Sequence, residues 1–232
     1  MKTIGLIGGM SWESSVEYYR LINQGIRERL GGLRSAKILL DSLDFEEVAA
    51  RQRAGRWDEA GEMLATSARR LEQSGAEFLL ICTNTMHKVV DPVQDAVRIP
   101  LVHIADPTGA AIKAAGIRRI GLLGTAFTME DSFLRHRLEE RFGLEVLIPE
   151  DPADRQLVHQ VIFGELCQGV VREESRAAYR AVMSRLVERG AEGIILGCTE
   201  IGLLVGPGDA SVPLFDTTRL HAAAAVEQAL VG

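Results

Sequence analysis

The sequence predicts an α/β protein built from two related halves, and three observations carry that prediction. Short apolar runs alternate with longer segments of helical spacing, the pattern of strand–helix units on mostly parallel sheets. The stretch Gly75-Ala-Glu-Phe-Leu-Leu-Ile-Cys-Thr-Asn-Thr85 returns as Gly190-Ala-Glu-Gly-Ile-Ile-Leu-Gly-Cys-Thr-Glu200, at an offset of 115 residues. Thr3-Ile-Gly-Leu-Ile-Gly-Gly9 returns as Arg119-Ile-Gly-Leu-Leu-Gly-Thr125, at an offset of 116. Two echoes at nearly one spacing imply one βα architecture used twice.

The elements follow in order. Lys2–Ile7 reads as a buried strand ending at Gly8-Gly9, and Val16–Leu30 as a helix with Tyr19, Ile22, Ile26 and Leu30 at helical spacing. Gly31-Gly32 stops it. Lys37–Leu43 is the next strand, with a polar exit over Asp44–Arg53. A helix from Trp57 to Ser74 ends at Gly75, and a strand over Glu77–Cys82 delivers Thr83-Asn84-Thr85-Met86-His87 at its carboxyl end. Pro100–Ile104 reads as a further strand, and Asp106-Pro107 as an N-cap followed by proline in the first helical position. The second half runs through a helix near Glu130–Phe142, a strand near Leu144–Ile148 and helices near Asp154–Cys167 and Glu173–Arg189. It closes with strands over Gly193–Cys198 and Val212–Phe215, then a helix over Thr217–Leu230 capped by Asp216 or Thr217.

Composition removes several classes of function. The 232 residues suffice for two domains of about 100 residues each. No apolar run approaches the ~18 residues of a membrane span. The start, Met1–Ile7, is too short and strand-like for a signal peptide, so a cytoplasmic location is expected. Three cysteines without regular spacing argue against a disulfide framework and a zinc site. A net charge of −6 with scattered Lys and Arg disfavours a nucleic-acid surface, while leaving room for a small anionic ligand held by local donors.

Ligands on such sheets bind at the carboxyl ends of strands. Gly8-Gly9, Thr83, Gly124-Thr125 and Cys198 all fall there. With Gly75 laid on Gly190, Cys82 falls on Gly197 and Thr83 on Cys198. Neighbouring side chains of a strand point to opposite faces, so Cys82 faces away from the position that Thr83 and Cys198 share. If the halves face each other about a twofold, Thr83 and Cys198 look into one cleft.

Each candidate admits a structural and a functional account. Cys198 is either a small buried hydrophobe or a thiol whose proton is loosened by backbone donors at a helix start, and so a nucleophile or proton-transfer base. Thr83 either satisfies the strand end or meets a ligand. Asn84, Thr85 and Thr199 offer donors suited to a carboxylate, or ordinary loop and cap chemistry. Cys82 and Cys167 are expected inside, His87 as a structural hydrogen-bonder, and Arg51 and Arg53 as solvated charges just past a strand end. The glycines lack dinucleotide spacing and instead suit close approach of backbone to a small ligand.

Lys2–Glu13 (KTIGLIGGMSWE), Thr83–His87 (TNTMH) and Gly197–Ile201 (GCTEI) together resemble the cofactor-independent aspartate/glutamate racemases, over essentially the whole chain. The resemblance is strongest to the L-aspartate/glutamate-specific branch. It implies two pseudo-symmetric three-layer α/β domains with mostly parallel sheets, residues 1–104 plus 213–232 and residues 105–212, with an active site in the cleft between them. It also implies a homodimer, an amino-acid substrate, and catalysis without pyridoxal phosphate or metal. One cysteine of the family removes the α-proton and a second, on the other face, returns one. Cys198 matches the second; Thr83 stands where most members carry the first, with Cys82 before it. Met10, Gln52, Asn84, Thr85, Thr125, Cys167, Thr199 and Glu200 are the expected substrate contacts, beside Thr83. Archaeal-type members carry a lysine in the segment matching Val161–Gly169, where Cys167 falls here, and an arginine near Arg51, Gln52 and Arg53.

The expected reaction is racemisation of L-aspartate, L-glutamate or a related amino acid, with Cys198 as main acid/base and Thr83 as a weak partner. The rivals are a single-cysteine decarboxylase or isomerase of the same superfamily, a non-catalytic amino-acid-binding protein and, more remotely, a Rossmann-type oxidoreductase.

Overall fold

The computed structural model describes residues 1–231 and divides the chain into two compact units, Met1–Ile104 with the segment from His221 onward, and Ala105–Leu220. In the first unit, β1 (Ile4–Gly8), α1 (Trp12–Leu30), β2 (Ile38–Ser42), α2 (Phe45–Arg53), α3 (Trp57–Gln73) and β3 (Phe78–Ile81) follow one another. A 3-10 turn over Thr85–Val89 and α4 (Val90–Asp95) come next. The sheet is parallel in the order β2-β1-β3. Its two faces carry alternate residues, as a strand period of two requires. Ile4, Leu6, Phe78, Leu80 and Cys82 pack against Tyr18, Ile22 and Ile26 of α1 and against Ala222, Ala225 and Val226. Ile7, Leu79 and Ile81 pack on the other side against Val48, Leu64, Ala68 and Leu71.

The second unit holds α5 (Ala105–Ala114), β4 (Arg119–Gly124), α6 (Ala126–Glu130), α7 (Ser132–Phe142), β5 (Glu145–Leu147) and α8 (Pro152–Gly164). They are followed by α9 (Glu173–Glu188), β6 (Ile194–Gly197), α10 (Ile201–Leu204) and β7 (Leu214–Asp216). Its parallel sheet runs β5-β4-β6-β7. The last helix, α11 (Thr217–Leu230), carries the chain back to the first unit. Asp216 caps it, its carboxylate accepting from the Thr218 and Arg219 N–H groups at 2.9 and 3.1 Å.

The repeat seen in the sequence is a repeat of sheet register. Gly5, Leu6 and Ile7 pair with Leu79, Leu80 and Ile81; Gly121, Leu122 and Leu123 pair with Ile194, Ile195 and Leu196. Both pairings hold to the strand ends, where the Cys82 N–H donates to the Ile7 carbonyl at 2.9 Å and Gly124 lies opposite Gly197. The echoed Gly-Ala-Glu has one structural job in each copy. Gly75 and Gly190, at φ of 99° and 93°, end α3 and α9 in a conformation glycine adopts without a Cβ clash. Glu77 then accepts from the Thr3 N–H at 2.6 Å, and Glu192 from the Arg118 and Arg119 N–H groups at 2.9 Å each.

Several expectations need correction. Residues 213–220 belong with the second unit, because β7 pairs with β6 and the return begins at His221. Pro100–Ile104 is no continuous strand: Leu101 makes a single parallel bridge to Leu79. The polar exit Asp44–Arg53 is a helix, α2, whose first turn is capped by the Asp44 carboxylate accepting from the Glu46 N–H at 3.0 Å. The buried stripe of α1 is Tyr18, Ile22 and Ile26; Tyr19 and Leu30 are exposed. Asp106 lies inside α5 rather than capping it, and its carboxylate takes both Arg137 donors at 2.6 and 2.7 Å and Arg141 at 3.1 Å.

Candidate active site

Each unit carries a polar cluster where its central strands end. In the first unit, Thr83 follows Cys82 at the end of β3 and is half-buried, with Asn84 and Thr85 buried beside it. His87 fixes the turn. Its Nε2 accepts from the Ile104 N–H at 3.2 Å, so the proton is on Nδ1, which donates to the Thr83 carbonyl at 2.9 Å. The His103 ring packs on it at 4.5 Å between centroids. His221 is held likewise: Nε2–H donates to the Val102 carbonyl at 2.8 Å, and Nδ1 accepts from the Tyr18 hydroxyl at 2.7 Å. His87 thus holds the backbone that presents Thr83, and His221 holds that of Val102.

Met10 and Gln52, expected as substrate contacts, are both buried in this unit. Met10 packs in the α2/α3 core, and the Gln52 amide donates to the Met86 sulfur at 3.1 Å. Arg51 bonds the Glu47 carbonyl at 2.7 Å, and Arg53 pairs with Glu46. Gly8 and Gly9 are spoken for by protein, against the expectation of ligand approach. A Cβ on Gly9 would lie 2.1 Å from the Leu43 carbonyl oxygen, and one on Gly8 would lie 2.7 Å from the Ser15 hydroxyl. Gly124 is the same case: a Cβ there would lie 2.9 Å from the Gly197 carbonyl oxygen.

Cys82 shares the inner face of Phe78 and Leu80 and has no solvent exposure. Burial alone pushes its thiol far above the ordinary range. Its orientation follows from β alternation, as the register predicts.

In the second unit, Cys198 keeps step with Ile194 and Leu196, on the face packed against Val158, Ile162, Tyr179, Val182 and Met183. Its sulfur donates to Glu200 Oε2 at 2.9 Å, and the Thr199 hydroxyl donates to the same oxygen at 2.8 Å. Glu200 is 2% exposed and Cys198 8%. The thiol is pushed well up, first by burial, then by the charge of Glu200 and the neighbouring Cys167. This reverses the expected loosening of the proton. A lowering contribution from the Glu200 backbone N–H exists, but it is the smallest of the causes, since α10 is one short turn and the surroundings are apolar and acidic. Cys198 is therefore a thiol at neutral pH, a proton donor before it is a base.

Cys167 is half-buried in a 3-10 turn over Leu166–Gln168 and packs against the same core. Thr125 caps α6, its hydroxyl accepting from the Thr128 N–H at 3.2 Å. Sequence reasoning missed Tyr179 and Glu165. The Tyr179 phenol donates to the Val158 carbonyl at 3.0 Å, and its pKa is driven up by burial and then by Cys198, Glu165, Cys167 and Glu200. Glu165 accepts from the Ser175 hydroxyl at 2.6 Å. Tyr179 sits at helical spacing with Val182, Met183 and Leu186, a signal that marks only a core stripe. Among the described residues, no group of three or more His, Cys, Asp or Glu is placed to hold a metal ion, and no helix is long and apolar enough to cross a membrane.

Comparison with known proteins adds an independent line. The family model described as Asp/Glu/hydantoin racemase matches residues 7–225. A solved structure from Yersinia pestis, described as a candidate Asp/Glu racemase, is 54% identical with a TM-score of 0.91, covering 99% of this chain and 100% of that one. A Pyrococcus horikoshii structure described as an aspartate racemase homologue is 35% identical with a TM-score of 0.85, covering 99% of each chain. The broad specificity amino-acid racemase of Bacillus subtilis is 24% identical over 169 residues, 73% of this chain and 72% of that protein.

Proposed function

Because the chain belongs to the Asp/Glu/hydantoin racemase family, we propose that it is an amino-acid racemase acting on L-aspartate, L-glutamate or a related amino acid, with Cys198 on one face of the α-carbon and Thr83 on the other. The carrying observation is the shared register: Gly8 and Gly124 end equivalent strands, and Thr83 and Cys198 follow at equivalent places. Cys82, one residue earlier, is committed to the core.

The chemistry is an α-proton transfer without a covalent intermediate. Removing that proton leaves a carbanion whose charge spreads into the carboxylate, so fixed donors aimed at the carboxylate lower the barrier. Asn84, Thr85 and the Thr199 backbone N–H are proposed for that task, the Thr199 hydroxyl being committed to Glu200. A threonine hydroxyl is a poor acid and base beside a thiol. The two directions of turnover are therefore unequal, with Thr83 acting through a water molecule. The reaction uses no pyridoxal phosphate in this proposal.

The test is incorporation of solvent deuterium at Cα across L- and D-amino acids. Cys198→Ala should abolish it, Cys82→Ala should leave it within about threefold, and Thr83→Ala should slow one direction more than the other. Exchange lost in Cys82→Ala and retained in Thr83→Ala would refute the assignment. A single-thiol decarboxylase is the second reading, favoured by the single sulfur at the paired positions. Release of CO2 from substituted malonates, without racemised product, would select it.

A further inference from the structure

The Cys198 thiol raises a difficulty that the geometry around it answers. A buried thiol beside a carboxylate ionises reluctantly, because its thiolate would leave two adjacent negative charges in an apolar setting. Yet an α-proton acceptor must ionise. The sulfur's proton already lies towards Glu200 Oε2, at a 2.9 Å separation of heavy atoms. Thr199 donates to the same oxygen from 2.8 Å and holds that oxygen in place. The carboxylate is thus fixed by two donors, one of which is the reacting thiol, and it is as buried as the sulfur it faces.

We propose that Glu200 is the positioning residue of Cys198, holding the thiol's proton so that the sulfur and carboxylate work as one acid–base pair; this rests on the racemase reading above. The pair alternates between one proton and two. With one, the proton moves from sulfur to Oε2, the thiolate takes the α-hydrogen, and the C–H electron pair stays on the substrate as the carbanion. The pair now holds two protons and no charge. In the opposite direction the S–H proton goes to the carbanion, and the Oε2 proton returns to sulfur. At no point do both groups carry charge. Glu200, expected among the substrate contacts, acts in this proposal on the thiol.

The test separates this coupling from the racemase reading by using a readout that needs no turnover. Thiolate absorbance near 240 nm is followed against pH as the difference between the protein and its Cys198→Ala variant, then repeated in the Glu200→Gln and Glu200→Asp backgrounds. Glu200→Gln should lower the Cys198 midpoint by at least one pH unit, about a tenfold rise in thiolate at fixed pH, while α-deuterium exchange falls at least a hundredfold. More thiolate with less exchange is a combination that a structural role does not produce. Glu200→Asp should keep exchange within about tenfold, and melting temperatures within a few degrees of the parent would show both variants folded. A Cys198 midpoint unmoved in Glu200→Gln, or exchange undiminished in that variant, overturns the proposal. If the parent exchanges no amino acid at all, the racemase reading fails, and the absorbance shift alone decides whether Glu200 holds the Cys198 proton.

Discussion

Cys82 makes a sharp prediction about alkaline stability. Its thiol is fully buried among Phe78, Leu80 and Tyr18, and burial raises its pKa far above that of an unfolded cysteine, about 8.5. A raised folded pKa stabilises the protein below the unfolded pKa, and that stability is lost as pH rises towards the folded value. Between about pH 7 and pH 10 the unfolded chain releases the proton while the folded one keeps it. Linkage then gives a loss of about 1.36 kcal/mol × log(1 + 10^1.5), or about 2 kcal/mol from this thiol alone. Cys82→Ala removes the term. The variant should start about 1–2 kcal/mol less stable at neutral pH, from the small cavity it opens. It should then lose about 2 kcal/mol less than the parent on going to pH 10. Urea unfolding followed by tryptophan fluorescence reads this cleanly, because both tryptophans, Trp12 and Trp57, lie in the same unit as Cys82. If parent and variant lose equal stability between the two pH values, the thiol ionises in the folded state, and its assignment to the core face of β3 is wrong.

Three further outcomes follow from named contacts. Gly124→Ala should cost about 1–3 kcal/mol in chemical denaturation, since its Cβ would meet a backbone oxygen at 2.9 Å, whereas Gly164→Ala, with nothing within 4 Å, should be neutral or stabilise by up to about 1 kcal/mol. His87→Phe keeps a ring but removes the hydrogen bonds to the Thr83 carbonyl and the Ile104 N–H, at a cost of about 2–4 kcal/mol by the same measurement. Asp106 is opposed by burial and held down in pKa by Arg137 and Arg141, so its contribution is present above about pH 4 and lost as pH falls below it. Asp106→Asn should therefore cost about 1 kcal/mol at neutral pH, and the gap to the parent should close in acid.

The architecture was legible because the two halves say the same thing twice. Alternating apolar runs locate the strands, and the near-equal offsets fix how the strands pair in each sheet. What escaped depended on contacts remote in sequence or on weak local signals. Helix α2 carries few large apolar residues, so the pattern marks it only as a polar strand exit, although Asp44 followed by Glu46 and Glu47, with Arg51 and Arg53 at the end, is the charge order of a short helix. The Cys198 thiol was misjudged because its neighbours, Val158, Ile162 and Tyr179, arrive from α8 and α9. No spacing rule around residue 198 reveals that those helices bring apolar surface to the sulfur; only its carboxylate neighbour, Glu200, is local in sequence.

The repeat itself separates architecture from chemistry. Gly75 and Gly190 end helices, Glu77 and Glu192 tie strand starts, and Gly8 and Gly124 make room for protein atoms. Each echoed residue that is identical in both copies thus has a packing or backbone reason to be so. Thr83 and Cys198 are different. They occupy equivalent places after β3 and β6 yet differ in kind: one a half-buried alcohol over a histidine-braced turn, the other a thiol bonded to a buried carboxylate. A fold that needed only to close its strands would gain nothing from burying Glu200, since a buried carboxylate is costly unless its donors compensate. Its donors include Thr199 and the very thiol in question. The asymmetry between the copies therefore lies at the two positions proposed to work on the substrate, and the buried carboxylate accompanies the thiol rather than the alcohol.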